Sequence, residues 1–151
     1  MDGFDVLNED GSRFIVAKEK VNEPMDQLPR RAYFEIESIK DGQLGIELKS
    51  EEDSLFYDGL EGYVLHSQSK MVYPAIPISI GSVVGVTVWT IEREEGVFRS
   101  LITFSVNGKS ACHKTISFKG SNVTPVVYVG AKNSEVKNVG QHPFQFDNGK
   151  V

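Results

Sequence analysis

The chain has 151 residues, 40% of them hydrophobic and 25% charged, the size and balance of one ordinary globular domain. A chain this long buries roughly 68–70% of the surface its unfolded form exposes, so it needs no staples to fold. Its net charge of -5 argues against nucleic acid and anionic membrane as partners, since both require basic patches, and the longest basic cluster is Arg30-Arg31.

Residues 18–31 are polar and carry Pro24 and Pro29, so they read as a long loop. Phe34 and Ile36 then alternate with Glu35 and Glu37, the pattern of a half-buried strand. Lys40-Asp41-Gly42 is a turn, and after it Leu44, Ile46 and Leu48 alternate with Gln43, Gly45 and Glu47. Val84, Val86 and Val88 share one face, with Thr87 and Trp89 on the other. Glu94-Glu95-Gly96 leads into a run where Phe98, Ile102, Phe104 and Val106 share one parity. Asn107-Gly108 follows, the pair that supplies the positive φ angles of a tight type I′ hairpin. The returning strand is expected over 110–118, and Lys119–Asn122 separates it from a last run at 123–129. No segment of ten residues shows a 3.6-residue apolar stripe. Many short strands with regular turns predict an all-β sandwich or barrel. Its expected core is Phe34, Ile36, Leu44, Ile46, Val84, Val86, Phe104, Val127, Phe144 and Phe146.

Templates for chemistry fail on residues. Gly108-Lys109-Ser110 ends like a phosphate loop, but the glycine that loop needs at position 103 is Thr103, and a hairpin turn explains the string. The histidines His66, His113 and His142 have no metal-ligand spacing, and the Cys112-His113 pair is too few ligands for zinc. Glu51-Glu52-Asp53 and Glu92…Glu94-Glu95 lack the ligand ladder of a calcium loop. No metal or cofactor is therefore expected, and no enzymatic activity. An enzyme would need a pocket joining His66 or His142 to Cys112 or a carboxylate. Cys112 is the single cysteine, so no intramolecular disulfide forms. That fits a reducing, cytoplasmic setting, as does the acidic start Met1–Asp5 without a signal-peptide core. No run approaches the ~20 apolar residues of a membrane span. The sequon at Asn122-Val123-Thr124 reads as a polar strand edge.

Six strings in order carry a resemblance. Tyr33-Phe34-Glu35-Ile36-Glu37 is similar to "YFEVEI", and residues 54–62 lie where "SxGYxGDDG" is expected. Gly81–Val86 is similar to "GDVIGC", Leu101–Lys109 to "xFFTKNGK", and Val123–Val127 to "LYPVVGL". Val136–Asp147 is similar to "VxxNFGQHPFxFD". Together these resemble the SPRY family, nearest to its Ran-binding-protein branch. Phe56 stands where the family has glycine, Val139 where it has phenylalanine, Asp58 where that branch has histidine, and Ser82 where an acidic residue is usual.

The resemblance implies two antiparallel sheets packed face to face, with a protein or short peptide segment held by loops at one rim. It implies a core over 33–147, with strands and a loop over 1–32 packing on it and a frayed tail at 148–151, in one domain. By position the rim loops are 18–22, 40–42, 51–53 and 130–134. The candidate partner-binding residues are Lys20, Asp41, Glu51, Asp53, Tyr57, Asp58, Lys132 and Asn133. Tyr57 is the expected anchor, with Glu51, Asp53 and Asp58 making its side of the rim acidic. A carbohydrate-binding, lectin-like sandwich is the alternative, with Trp89 as the aromatic platform.

Overall fold

The period-two runs are realised as strands throughout. The computed structural model describes residues 4–9, 12–17, 30–40, 44–119, 123–129, 135–137 and 146, with no helix among them. Among the described residues thirteen strands follow in order: β1 (Phe4–Glu9), β2 (Ser12–Ala17), β3 (Arg30–Lys40), β4 (Leu44–Lys49), β5 (Ser54–Asp58), β6 (Tyr63–His66), β7 (Met71–Pro74), β8 (Val83–Glu94), β9 (Val97–Val106), β10 (Lys109–Ser110), β11 (Ile116–Lys119), β12 (Thr124–Val129) and β13 (Glu135–Lys137).

They form two sheets. One has seven strands in the order β1-β2-β12-β4-β5-β6-β7, and the other runs β10-β9-β8-β3-β13, with β11 also paired to β9. Every pairing is antiparallel. The chain is thus an all-β sandwich. Its core draws Leu44, Ile46, Leu48, Leu55, Tyr57, Val64 and Val127 from the first sheet. The second sheet supplies Phe34, Ile36, Val84, Val86, Val88, Ile102 and Phe104. The Tyr57 ring meets the Phe104 ring edge-on across the gap, with centroids 5.2 Å apart at 82°.

Eight of the ten expected core residues are buried; Phe144 lies outside the described residues. Phe146 is the correction, at 42% exposed. It sits on the outer side of the β9–β10 turn, where a Cβ on Gly108 would come within 2.8 Å of its ring. That turn has positive φ at both Asn107 (51°) and Gly108 (82°), as type I′ requires. The Asn107 side-chain oxygen also accepts from the Val83 amide at 2.9 Å, tying the turn to the start of β8.

Two further expectations are corrected. The strand expected over 110–118 is broken in the middle. Ser110 lies opposite Ser105 and Ile116 opposite Ile102, so six residues advance on one side against three on the other. The extra length turns both Ala111 and Cys112 into the core, which a regular strand cannot do with successive residues. The Phe104 carbonyl accepts from both of their amides. Glu35, expected to face solvent, is 1% exposed. It lies on the outer side of β3, where it accepts from the Tyr33 hydroxyl at 2.8 Å and the Phe146 amide at 2.7 Å. Gly85 is paired opposite Glu35 and leaves room for this arrangement, since a Cβ there would lie 2.4 Å from the Tyr33 hydroxyl.

Candidate functional site

β5 organises the candidate residues, and it separates them. Glu51 and Asp53 precede it and Asp58 ends it, so its two ends are about 13 Å apart at the usual strand rise. The acidic rim expected from Glu51, Asp53 and Asp58 together is therefore divided between opposite ends of the sheet. Lys20, Asp41, Lys132 and Asn133 lie outside the described residues.

At the first end Asp53 turns inward and acts as a clasp. Its carboxylate accepts from the amides of Ser54 (2.8 Å) and Gln68 (3.0 Å), the Ser67 hydroxyl (3.3 Å) and the His66 Nε2. Burial works against its charge, but the bonds from His66, Gln68 and Ser54, with the charge of His66, outweigh this and hold its pKa below the ordinary 3.8. A buried carboxylate used up in this way is a poor partner contact, so Asp53 is corrected to a structural role. The group is not a catalytic relay either. Ser67 bonds Asp53 rather than His66, whereas a relay places the imidazole between hydroxyl and carboxylate. Glu51 and Glu52 remain exposed at the tip of this turn.

Tyr57 is corrected as well. It is 0% exposed, because the odd positions of β5 face the other sheet, so its ring cannot stack on a partner. Its hydroxyl donates to the Ile76 carbonyl. Burial pushes its pKa up to about 12, a rise that the Ile76 bond partly offsets and nearby Cys112 reinforces. Cys112 is itself buried and its thiol donates to the Lys114 carbonyl.

The second end is a built rim. Asp58 caps the turn after β5, accepting from the amides of Leu60 and Glu61 at 3.0 Å each. This local bond is the one Asp favours in turns. Gly59 donates to the Leu44 carbonyl and accepts from the Ile78 amide, while Gly62 accepts from Ala75. Gly62 has φ +80° and packs on Pro77, a conformation and a closeness that suit glycine alone. The turn 58–62 and the segment 75–82 are thereby locked side by side, with the Tyr57 bond fixing Ile76 from beneath. From this rim Leu60 (57%), Ile76 (36%) and Ile80 (61%) project into solvent. These aliphatic residues were missed in the sequence. Their signal was the isoleucine series Ile76, Ile78 and Ile80 around Pro77, just after Pro74 at the end of β7.

Trp89 lies on the outer face of the six-stranded arrangement, paired with Arg31 and Leu101 and half-buried. Among the described residues no group of three His, Cys, Asp or Glu could hold a metal ion.

No protein-family model matches the sequence, and no curated protein does. Among solved structures the chain is similar to one described as a human SPRY domain. The two are 16% identical with a TM-score of 0.55, over 95% of this chain and 100% of the other. At that identity the likeness speaks to architecture, and it shows that the chain has the fold of a SPRY sandwich.

Proposed function

We propose that this chain is a non-enzymatic protein-interaction module of the Ran-binding type of SPRY domain, acting in the cytoplasm. It grips a segment of another protein with the rim built from 58–62 and 75–82. The observation that carries the reading is a set of exposed aliphatics, Leu60, Ile76 and Ile80, on a backbone pinned by Asp58, Gly59, Gly62 and Tyr57. Apolar side chains carried on an already fixed backbone need no loop ordering on binding, and interfaces concentrate their energy in a few anchors. The similar human SPRY fold and the string at 136–147 support the family assignment. Solvated aliphatics call for an apolar counterpart in the partner, and exposed Glu61 beside them favours a basic neighbour there.

The test is capture of partners from the protein's own cell extract, followed by titration of each purified partner. Leu60→Ser with Ile80→Ser should leave folding within about 0.5 kcal/mol and weaken binding by about 2 kcal/mol or more. A partner that binds the double variant at wild-type affinity would remove the rim from the interface.

A further inference from the structure

The outward face of the seven-stranded sheet carries an arrangement separate from the rim. Tyr57 and Leu55 point inward, so Phe56 and Asp58 point outward. Register places Glu47 opposite Phe56, with Gly45 and Tyr63 on either side of Asp58. Gly45 is what lets the Phe56 ring lie down, since a Cβ there would come within 2.9 Å of it. The ring then meets Tyr128 edge-on, with centroids 5.9 Å apart at 74°. The Tyr128 hydroxyl donates to the Glu47 carboxylate at 2.8 Å. The Phe56 ring thus lies beside a carboxylate, Glu47, that a second ring, Tyr128, holds in place.

We propose that this face binds an arginine-bearing extended segment of a partner protein, its guanidinium lying on Phe56 and paired with Glu47. The electron-rich face of a ring attracts cations, and a fixed carboxylate beside it accepts from the planar fork of arginine. Both features repel an acidic segment. The one cation that the register puts on this face of β4 is Lys49, beyond Glu47 and opposite Ser54. The Phe56 row continues through Leu65 and Val72, which would take the aliphatic stem and flanking apolar residues. The site does not depend on the rim reading.

The test uses the whole folded chain and blocked peptides of the form Gly-Leu-X-Leu-Gly, with X arginine, citrulline or glutamate. Amide chemical shifts are followed by NMR. The arginine peptide should move the amides of Glu47, Phe56 and Tyr128, and citrulline, its neutral isostere, should bind about threefold or more weakly. Phe56→Ala should abolish the response. Glu47→Gln, which keeps the aromatic packing, should weaken arginine binding by about threefold or more. Equal binding of citrulline or glutamate overturns the proposal, as does silence at Phe56. Shifts confined to 58–62 and 75–82 would overturn it while leaving the rim intact. Self-association that Phe56→Ala abolishes would also overturn it, by assigning the face to a second copy.

Discussion

Phe146 and Glu35 are 111 residues apart in the sequence, yet the Phe146 amide donates to the Glu35 carboxylate at 2.7 Å. That bond fastens Phe146 onto the outer face of β3. Glu35→Ala removes the shared acceptor of the Phe146 amide and the Tyr33 hydroxyl. A cost of about 1–3 kcal/mol is expected in denaturant unfolding, with faster hydrogen exchange at the Phe146 amide. An unchanged midpoint would mean that this bond is not formed in solution.

Tyr57 is expected to behave as core. Tyr57→Ala should cost about 3–5 kcal/mol. Tyr57→Phe keeps the ring against Phe104 but leaves the Ile76 carbonyl without its donor, a loss of about 1–3 kcal/mol. Its raised pKa has a sign of its own. Between about pH 10 and about 12 the unfolded tyrosine is ionised while the folded one stays protonated, so stability falls as pH rises through this window. Tyr57→Phe should flatten that alkaline decline, and a variant that tracks the wild type there would refute the assignment.

Asp53 governs the other limb. Its pKa is depressed in the fold, so the unfolded state binds the proton first as pH falls. Its stabilisation is therefore complete above the ordinary carboxylate value and is lost as pH drops from about 4 through the folded pKa. Asp53→Asn should be less stable than wild type at neutral pH and the difference should shrink on acidification. A difference that is constant with pH would show that the carboxylate charge is irrelevant to the clasp.

Gly96 and Gly108 make a matched pair. Both have positive φ, +78° and +82°, but a Cβ on Gly96 meets nothing within 4 Å, whereas one on Gly108 meets Phe146 at 2.8 Å. Alanine at either position should cost about 1–2 kcal/mol for the backbone alone, and Gly108→Ala should cost more than Gly96→Ala. Equal losses would show that Phe146 does not rest on the turn.

The sandwich was legible because alternation is a strong signal when one face of each strand is buried. Phe34, Ile36, Ile46, Val86 and Phe104 announce their inward face by parity, and Asn107-Gly108 announces its turn. Alternation says nothing about a polar residue covered from outside, which is why Glu35 was read as solvated. Its burial depends on Phe146, far away in sequence. Nor does it reveal two successive inward residues such as Ala111 and Cys112. Tyr57 was misread because a tyrosine beside a glycine-bearing loop looks like an anchor, while its parity with Leu55 was the better guide. The rim aliphatics escaped because their setting depends on Gly59 and Gly62 packing against Ile78 and Pro77, a contact between turns rather than a pattern within one.

The seven-stranded sheet ends at β7, and the way it ends governs how the protein keeps to itself. The Ala75 amide bonds the Gly62 carbonyl, so alternation assigns Tyr73 and Met71 to the pairs that bond β6. Val72 and Pro74 are left to face the open edge, and proline has no N–H. Val72 is then the single donor along the outer side of a four-residue strand. An edge this short and this poor in donors offers little template to another chain. A protein with exposed aliphatics at its rim thus has, at β7, a sheet edge that resists strand addition, so crowding should not drive it into fibres through this edge.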